Sequence, residues 1–148
     1  MKNIVVICTI IIAALYCCPF FDFGESANPE EDFEAIVYSP MPPGITPIAA
    51  DYENIGFGDG YRVVHFRAET SDLMDKIIEK HNLTKETTIF QFEDDQYPLE
   101  KWQTNPKADE IEYFEYTKYE DDSGIARYSI VLYLNKDHTE GVFKIIYY

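Results

Sequence analysis

The stretch that decides the fold is Ile125-Ala126-Arg127-Tyr128-Ser129-Ile130-Val131-Leu132-Tyr133-Leu134-Asn135. Side chains alternate between the two sides of an extended chain. Ala126, Tyr128, Ile130, Leu132 and Leu134 therefore share one face, opposite Arg127, Ser129, Val131 and Tyr133. One side is strongly apolar and needs a cover.

Strands flank this one. Glu110 to Tyr119 is the strand before it, with Asp121-Asp122-Ser123-Gly124 as the turn. Lys136 to Gly141 turns the chain back into a last strand, Val142 to Tyr148. Short strands separated by Gly, Asp and Asn clusters form an antiparallel meander. Further back, Tyr61 to Ala68 alternates, with Val64, Phe66 and Ala68 opposite Tyr61, Val63 and His65. Thr70, Ser71 and Asp72 offer helix caps, and Leu73, Met74, Ile77, Ile78 and His81 follow at helical spacing, which predicts an amphipathic helix. That helix should end near Asn82. A short strand over Thr87 to Phe92 and a loop from Glu93 to Asp109 complete the count.

These elements predict an α+β fold. One main helix packs on a four- or five-stranded, mainly antiparallel sheet that ends in a three-strand meander, after an N-terminal apolar helix. Val64, Phe66, Leu73, Ile77, Ile78, Phe90, Ile130, Leu132, Leu134, Phe143 and Ile145 are the expected core. At about 1.5 to 3 kcal/mol for each large side chain fully buried, such a core can stabilise a small domain.

Two stretches precede that domain, which spans residues 61–148. Residues 22–60 hold nine acidic side chains, no basic one, and Pro29, Pro40, Pro42, Pro43 and Pro47. They read as an acidic, proline-rich strap or linker, extended from Ser39 to Pro47. Within it, Asn28-Pro29-Glu30-Glu31 has the cap, the first-position proline and the first-turn acids of a helix start. A helix there stops before Pro40. Gly56-Phe57-Gly58-Asp59-Gly60 lacks the following helix of a phosphate loop and reads as a turn.

Residues 1–21 read as a signal peptide or membrane anchor. The apolar run Ile4 to Phe21, taken as a helix, is about 27 Å long, borderline for crossing a bilayer. Lys2 is the only basic residue before Arg62, and every acidic residue follows Phe21. Basic flanks stay inside, so the rest of the chain is expected outside the inner membrane, in the periplasm or beyond. Leu15-Tyr16-Cys17-Cys18 resembles a lipoprotein signal with Cys18 as the acylated residue. Cleavage, acylation and retention as an anchor all remain open.

Cys8, Cys17 and Cys18 are the three cysteines, all in this segment. The exported part thus has no disulfide, thiol nucleophile or cysteine-ligated metal, and small disulfide-free exported domains point to a bacterial source. Asn82-Leu83-Thr84 matches a glycosylation sequon, but Asn82 reads better as the end of the helix.

Charge and chemistry narrow the function. The chain carries 27 acidic and 12 basic side chains, a formal charge of −15. Such a surface repels phosphate backbones, so nucleic acid is not an expected partner and a basic protein is. Ser26, Ser39, Ser71, Ser123 and Ser129 sit in no nucleophile elbow. His65, His81 and His138 show no metal-ligand spacing. Glu93-Asp94-Asp95 and Glu120-Asp121-Asp122 lack the pattern of a calcium loop. No catalytic residue, metal or cofactor is expected.

Twelve tyrosines and ten phenylalanines are more than one face of a small sheet can bury. Tyr61, Tyr113, Tyr119, Tyr133 and Tyr148 are expected on the face away from the apolar one. There they either contact a partner or lie beneath the strap. Tyrosine and tryptophan offer large contact area with a polar tip, so Tyr61, Trp102, Tyr113, Tyr119 and Tyr133 are the candidate partner-binding residues. Trp102, in its proline-flanked loop, is either an anchor on the core or an interface hot spot.

The expected function is an exported or membrane-anchored, non-enzymatic binding protein of a bacterial envelope. An immunity or inhibitor protein against a toxin or hydrolase is its sharpest version. A structural or accessory envelope lipoprotein is the first alternative. A hydrolase using two carboxylates about 5 to 9.5 Å apart is the second.

Overall fold

The computed structural model describes residues 28–56, 59–86, 102–120 and 125–148, and gives only the backbone at 54–56, 108, 119–120 and 125–126. They form an antiparallel sheet of six strands with two short helices.

The chain enters through α1 (Pro29–Asp32), which widens into a π-helical turn at Phe33–Val37. Asn28 caps it, its side chain accepting from the Glu30 N–H at 3.1 Å, as the sequence pattern requires. Then come β1 (Ile45–Gly56), β2 (Asp59–Ala68), α2 (Ser71–Lys80) and β3 (Thr84–Glu86). A short 3-10 turn at Ala108–Glu110 leads into β4 (Ile111–Glu120), followed by β5 (Ile125–Asn135) and β6 (Glu140–Tyr147). The order across the sheet is β1-β2-β6-β5-β4-β3, and the expected meander is β4-β5-β6.

Two features of the sheet differ from the sequence reading. Six strands replace the expected four or five, because β1 lies inside the stretch read as a strap. Residues 45–47, expected as polyproline-like extension, begin β1, where Ile45 opposes Ala68 and Pro47 opposes Phe66. The proline is tolerated because β1 is an edge strand with a register shift between Pro47 and Ala49, the place in a sheet that does not need every N–H. The expected strand Thr87–Phe92, core residue Phe90, turn Asp121–Gly124 and apolar helix before residue 22 lie outside the described residues.

The core lies between the sheet and both helices. Val64, Phe66, Ile77, Ile130, Leu132, Leu134 and Phe143 are buried, and Leu73, Ile78 and Ile145 pack at its margin. The former strap adds Phe33, Ile36, Val37 and Ile45. Phe33 meets the Phe66 ring edge-on at 5.0 Å. A second helix, α1 with its π turn, thus covers the apolar face beside α2. The two are joined where the π turn ends: the Val37 carbonyl accepts from Lys80 Nζ at 3.0 Å and lies 2.7 Å from His81 Nε2. Burial lowers the pKa of both Lys80 and His81.

α2 ends as the sequence suggests. Asn82 adopts φ of 52°, donating its N–H to Glu79, while Leu83 N–H reaches Ile78. This is a Schellman closure, in which Asn is the usual substitute for Gly. It accounts for Asn82 without glycosylation.

Candidate functional site

The other face of the sheet carries Tyr61, Val63, His65 and Arg67 from β2. β6 adds Glu140, Val142 and Lys144, β5 adds Ser129, Val131 and Tyr133, and β4 adds Ile111, Tyr113, Glu115 and Thr117. Register places these together: Val142 opposes both His65 and Tyr133, and Tyr113 opposes Tyr133. The former strap does not lie across this face among the described residues. β1 sits beside it in the plane of the sheet and α1 packs on the opposite side. Among the described residues, Trp102, Gln103 and Thr104 pack on it.

Trp102 is 2% exposed and packs on Val63 and Val142, with Ala49, Tyr61, Ile111 and Tyr133 around them. Of the two roles open to it, this is the arrangement of a loop anchor. Its ring centroid lies 5.5 Å from that of His65.

Beneath the loop is a charged group that the sequence did not single out. Glu140 is fully buried, as is His65, and Glu140 Oε1 lies 2.8 Å from His65 Nε2. The same oxygen accepts the Gln103 N–H at 2.7 Å, and Oε2 accepts that of Thr104 at 2.8 Å. A carboxylate only accepts, so Nε2 of His65 carries the hydrogen. Burial alone would raise the Glu140 carboxyl, but the bonds from Thr104 and Gln103 and the neighbouring His65 outweigh it and hold its pKa low. His65 is also lowered, by burial, against the opposing pull of Glu140. The pair is therefore carboxylate and neutral imidazole.

Asn135 sets Glu140 in place. Its side-chain oxygen accepts the N–H groups of Thr139 at 2.8 Å and Glu140 at 3.0 Å, closing the β5–β6 turn. Gly141 follows because a Cβ there would lie 2.6 Å from a Leu134 methyl and 2.9 Å from the Tyr133 carbonyl.

The tyrosines stand among carboxylates. Tyr113 donates to Glu115 Oε2 at 2.6 Å, and Thr117 donates to Glu115 Oε1 at 2.7 Å. Burial and then Glu115 push the Tyr113 hydroxyl far above the usual phenol range. Tyr61 is raised by burial, then by Asp51 and Glu53, and the Lys144 ammonium sits 4.8 Å from its ring centroid. Tyr133 is half-buried with its ring 5.4 Å from that of Tyr113. Tyr61, Trp102 and Tyr133 thus share one cluster, with Tyr113 beside it. Tyr119 belongs to β4 by backbone, but its side chain lies outside the described residues, as does Cys18. Tyr148 is 58% exposed at the end of the sheet.

A second polar group lies at the β3 edge. Glu112 Oε2 is 2.7 Å from Lys85 Nζ and 2.9 Å from His138 Nε2. Lys85 first, with help from His138, lowers the Glu112 carboxyl. Near the start of β1 an open pocket of about 240 Å³ is lined by Gly44, Thr46, Ile48, Arg67, Glu69 and Gln103. Among the described residues no group of three or more His, Cys, Asp or Glu side chains is placed to hold a metal ion, and no helix is long and apolar enough to cross a membrane.

No protein-family model matches the chain, and no curated protein or solved structure matches it either.

Proposed function

We propose that the chain is an exported, membrane-tethered binding protein of a bacterial envelope. Residues 4–21 supply the tether, and a basic protein is the partner. Neutralising a toxin or hydrolase is the sharpest form of that role. The observation that carries this reading is the pairing of tyrosines with carboxylates on one sheet face of a chain with net charge −15. Tyr61 lies beside Asp51 and Glu53, and Tyr113 beside Glu115. Tyrosines of this kind give contact area, and carboxylates between them favour lysine and arginine over acidic surfaces.

The buried acid–base pair supports a binding role over a hydrolytic one. His65 and Glu140 have 0% exposure, and the hydrogen bonds of Glu140 are taken up in holding Gln103 and Thr104. A general base must reach a substrate proton within hydrogen-bond distance.

The test uses the full-length chain, immobilised in detergent, to retain envelope proteins of its host at low salt. The reading predicts that basic proteins dominate the retained fraction and are released as ionic strength rises past the point where the Debye length is about 8 Å. A retained fraction indifferent to salt, or mainly acidic, contradicts it.

A further inference from the structure

We propose that the outer edge of β1, over residues 48–53, is the docking edge for an extended basic segment of a protein partner, which adds to the sheet as a further strand. This rests on the basic-partner reading and names how such a partner is held.

The two edges of the sheet are built differently. The described residues of β3, Thr84–Glu86, are all exposed. Its Lys85 is tied to Glu112 at 2.7 Å. Lysine on an edge strand resists pairing with other strands. β1 is 12 residues long, holds no lysine or arginine, and among the described residues pairs only with β2. Its one proline, Pro47, lies at the register shift near its start. From Ala49 to Asn54 the pairing with β2 runs without a break, so the backbone is regular where a new strand would bind.

Charge then selects the occupant. Asp51 and Glu53 are exposed and lie on one face, opposite Val63 and Tyr61 of β2. Asp51 also occupies the edge itself: its Oδ1 accepts the Tyr52 N–H at 2.8 Å. A backbone N–H bonded to its neighbour's side chain is one that β2 does not use. A second copy of this chain would bring its own Asp51 and Glu53 to the edge, and like charges directly across strands are destabilising. A segment with Lys or Arg at alternate positions places both cations on the Asp51 and Glu53 side and frees Tyr52 N–H for its own carbonyl. Beyond Pro47, the pocket bordered by Ile48, Thr46 and Glu69 is positioned to take one further side chain of that segment. Strand addition of this type draws affinity from main-chain bonds and specificity from alternate side chains.

The experiment measures binding of three labelled peptides to the full-length chain in detergent, by fluorescence anisotropy. One alternates valine and lysine, one alternates valine and glutamate, and the third is the lysine peptide N-methylated at alternate residues, prepared in both registers. The lysine peptide is expected to bind, the glutamate peptide at least about a hundredfold more weakly, and one N-methylated register not at all. The double variant Asp51→Lys/Glu53→Lys should bind the lysine peptide about tenfold or more weakly, a change of about 1.4 kcal/mol. If it fails to fold, Asp51→Asn/Glu53→Gln serves with the same direction. Equal binding of the lysine peptide and both N-methylated forms overturns the edge and leaves the basic-partner reading standing. So does absence of peptide binding while basic envelope proteins are still retained. If neither the peptide nor any basic protein is retained, both fail.

Discussion

His65 Nε2 and Glu140 Oε1 lie 2.8 Å apart with both side chains at 0% exposure, joining β2 to β6, and Glu140 also holds the backbone of Gln103 and Thr104. Removing the buried carboxylate would leave the His65 Nε2–H and the Gln103 and Thr104 N–H groups without their acceptor. Glu140→Gln keeps the shape but turns an amide NH₂ towards donors, so it should cost about 2 to 4 kcal/mol. Urea unfolding measures this, and a cost below about 0.5 kcal/mol would contradict the geometry.

Acid should weaken the fold at the same place. Both groups have folded pKa values below their unfolded ones. The His65 contribution is present above the unfolded value of 6.5 and is lost as pH falls below it; the Glu140 contribution follows below 4.5. Stability should therefore fall from near neutrality downward. Glu140→Gln should be flatter than the parent below about pH 4.5, as thermal melts across pH will show.

Residues 29–45 are part of the fold and not a spacer. Phe33 is fully buried against Phe66, so Phe33→Ala should destabilise by about 3 to 5 kcal/mol. A melting temperature unchanged by that substitution would return the segment to the role of linker.

Two backbone positions, one at a helix end and one in β6, should show opposite preferences. At Asn82, with φ of 52°, Asn82→Gly should be neutral or stabilising, whereas Asn82→Val should cost about 1 to 2 kcal/mol. At Gly141, Gly141→Ala should cost about 1 to 3 kcal/mol by overpacking, because the new methyl meets the Tyr133 carbonyl at 2.9 Å. Circular dichroism melts distinguish the two.

Much of the sheet was legible because strand periodicity is a local signal. β5 spans Ile125–Asn135 as read, since its alternation is long and bounded by turn residues. The α2 boundary was legible from Ser71 and Asn82 for the same reason. β1 was not, because Pro47, Ala49, Ala50 and Asp51 carry weak strand propensity. Its identity comes from pairing with β2, a long-range contact without a local trace. The helix start at Asn28 was legible, but not that Phe33, Ile36 and Val37 would enter the core. Among site residues, the clustering of Tyr61, Trp102 and Tyr133 follows from alternation once strand register is known. Glu140 fell within the turn read over Lys136 to Gly141. Its burial depends on a histidine 75 positions earlier and on backbone donors from a separate loop, so nothing near it in sequence marks it.

We propose above that a basic protein is the partner and that binding takes place outside the inner membrane. Tyr148 is 58% exposed, so a C-terminal tag leaves the sheet intact. The most direct measurement is to express the tagged chain in its own host, crosslink gently and identify what copurifies from the envelope. The account predicts one stoichiometric basic protein, lost when Asp51 and Glu53 are reversed to lysine. Scattered envelope components, or a stoichiometric acidic partner unaffected by that reversal, would contradict it.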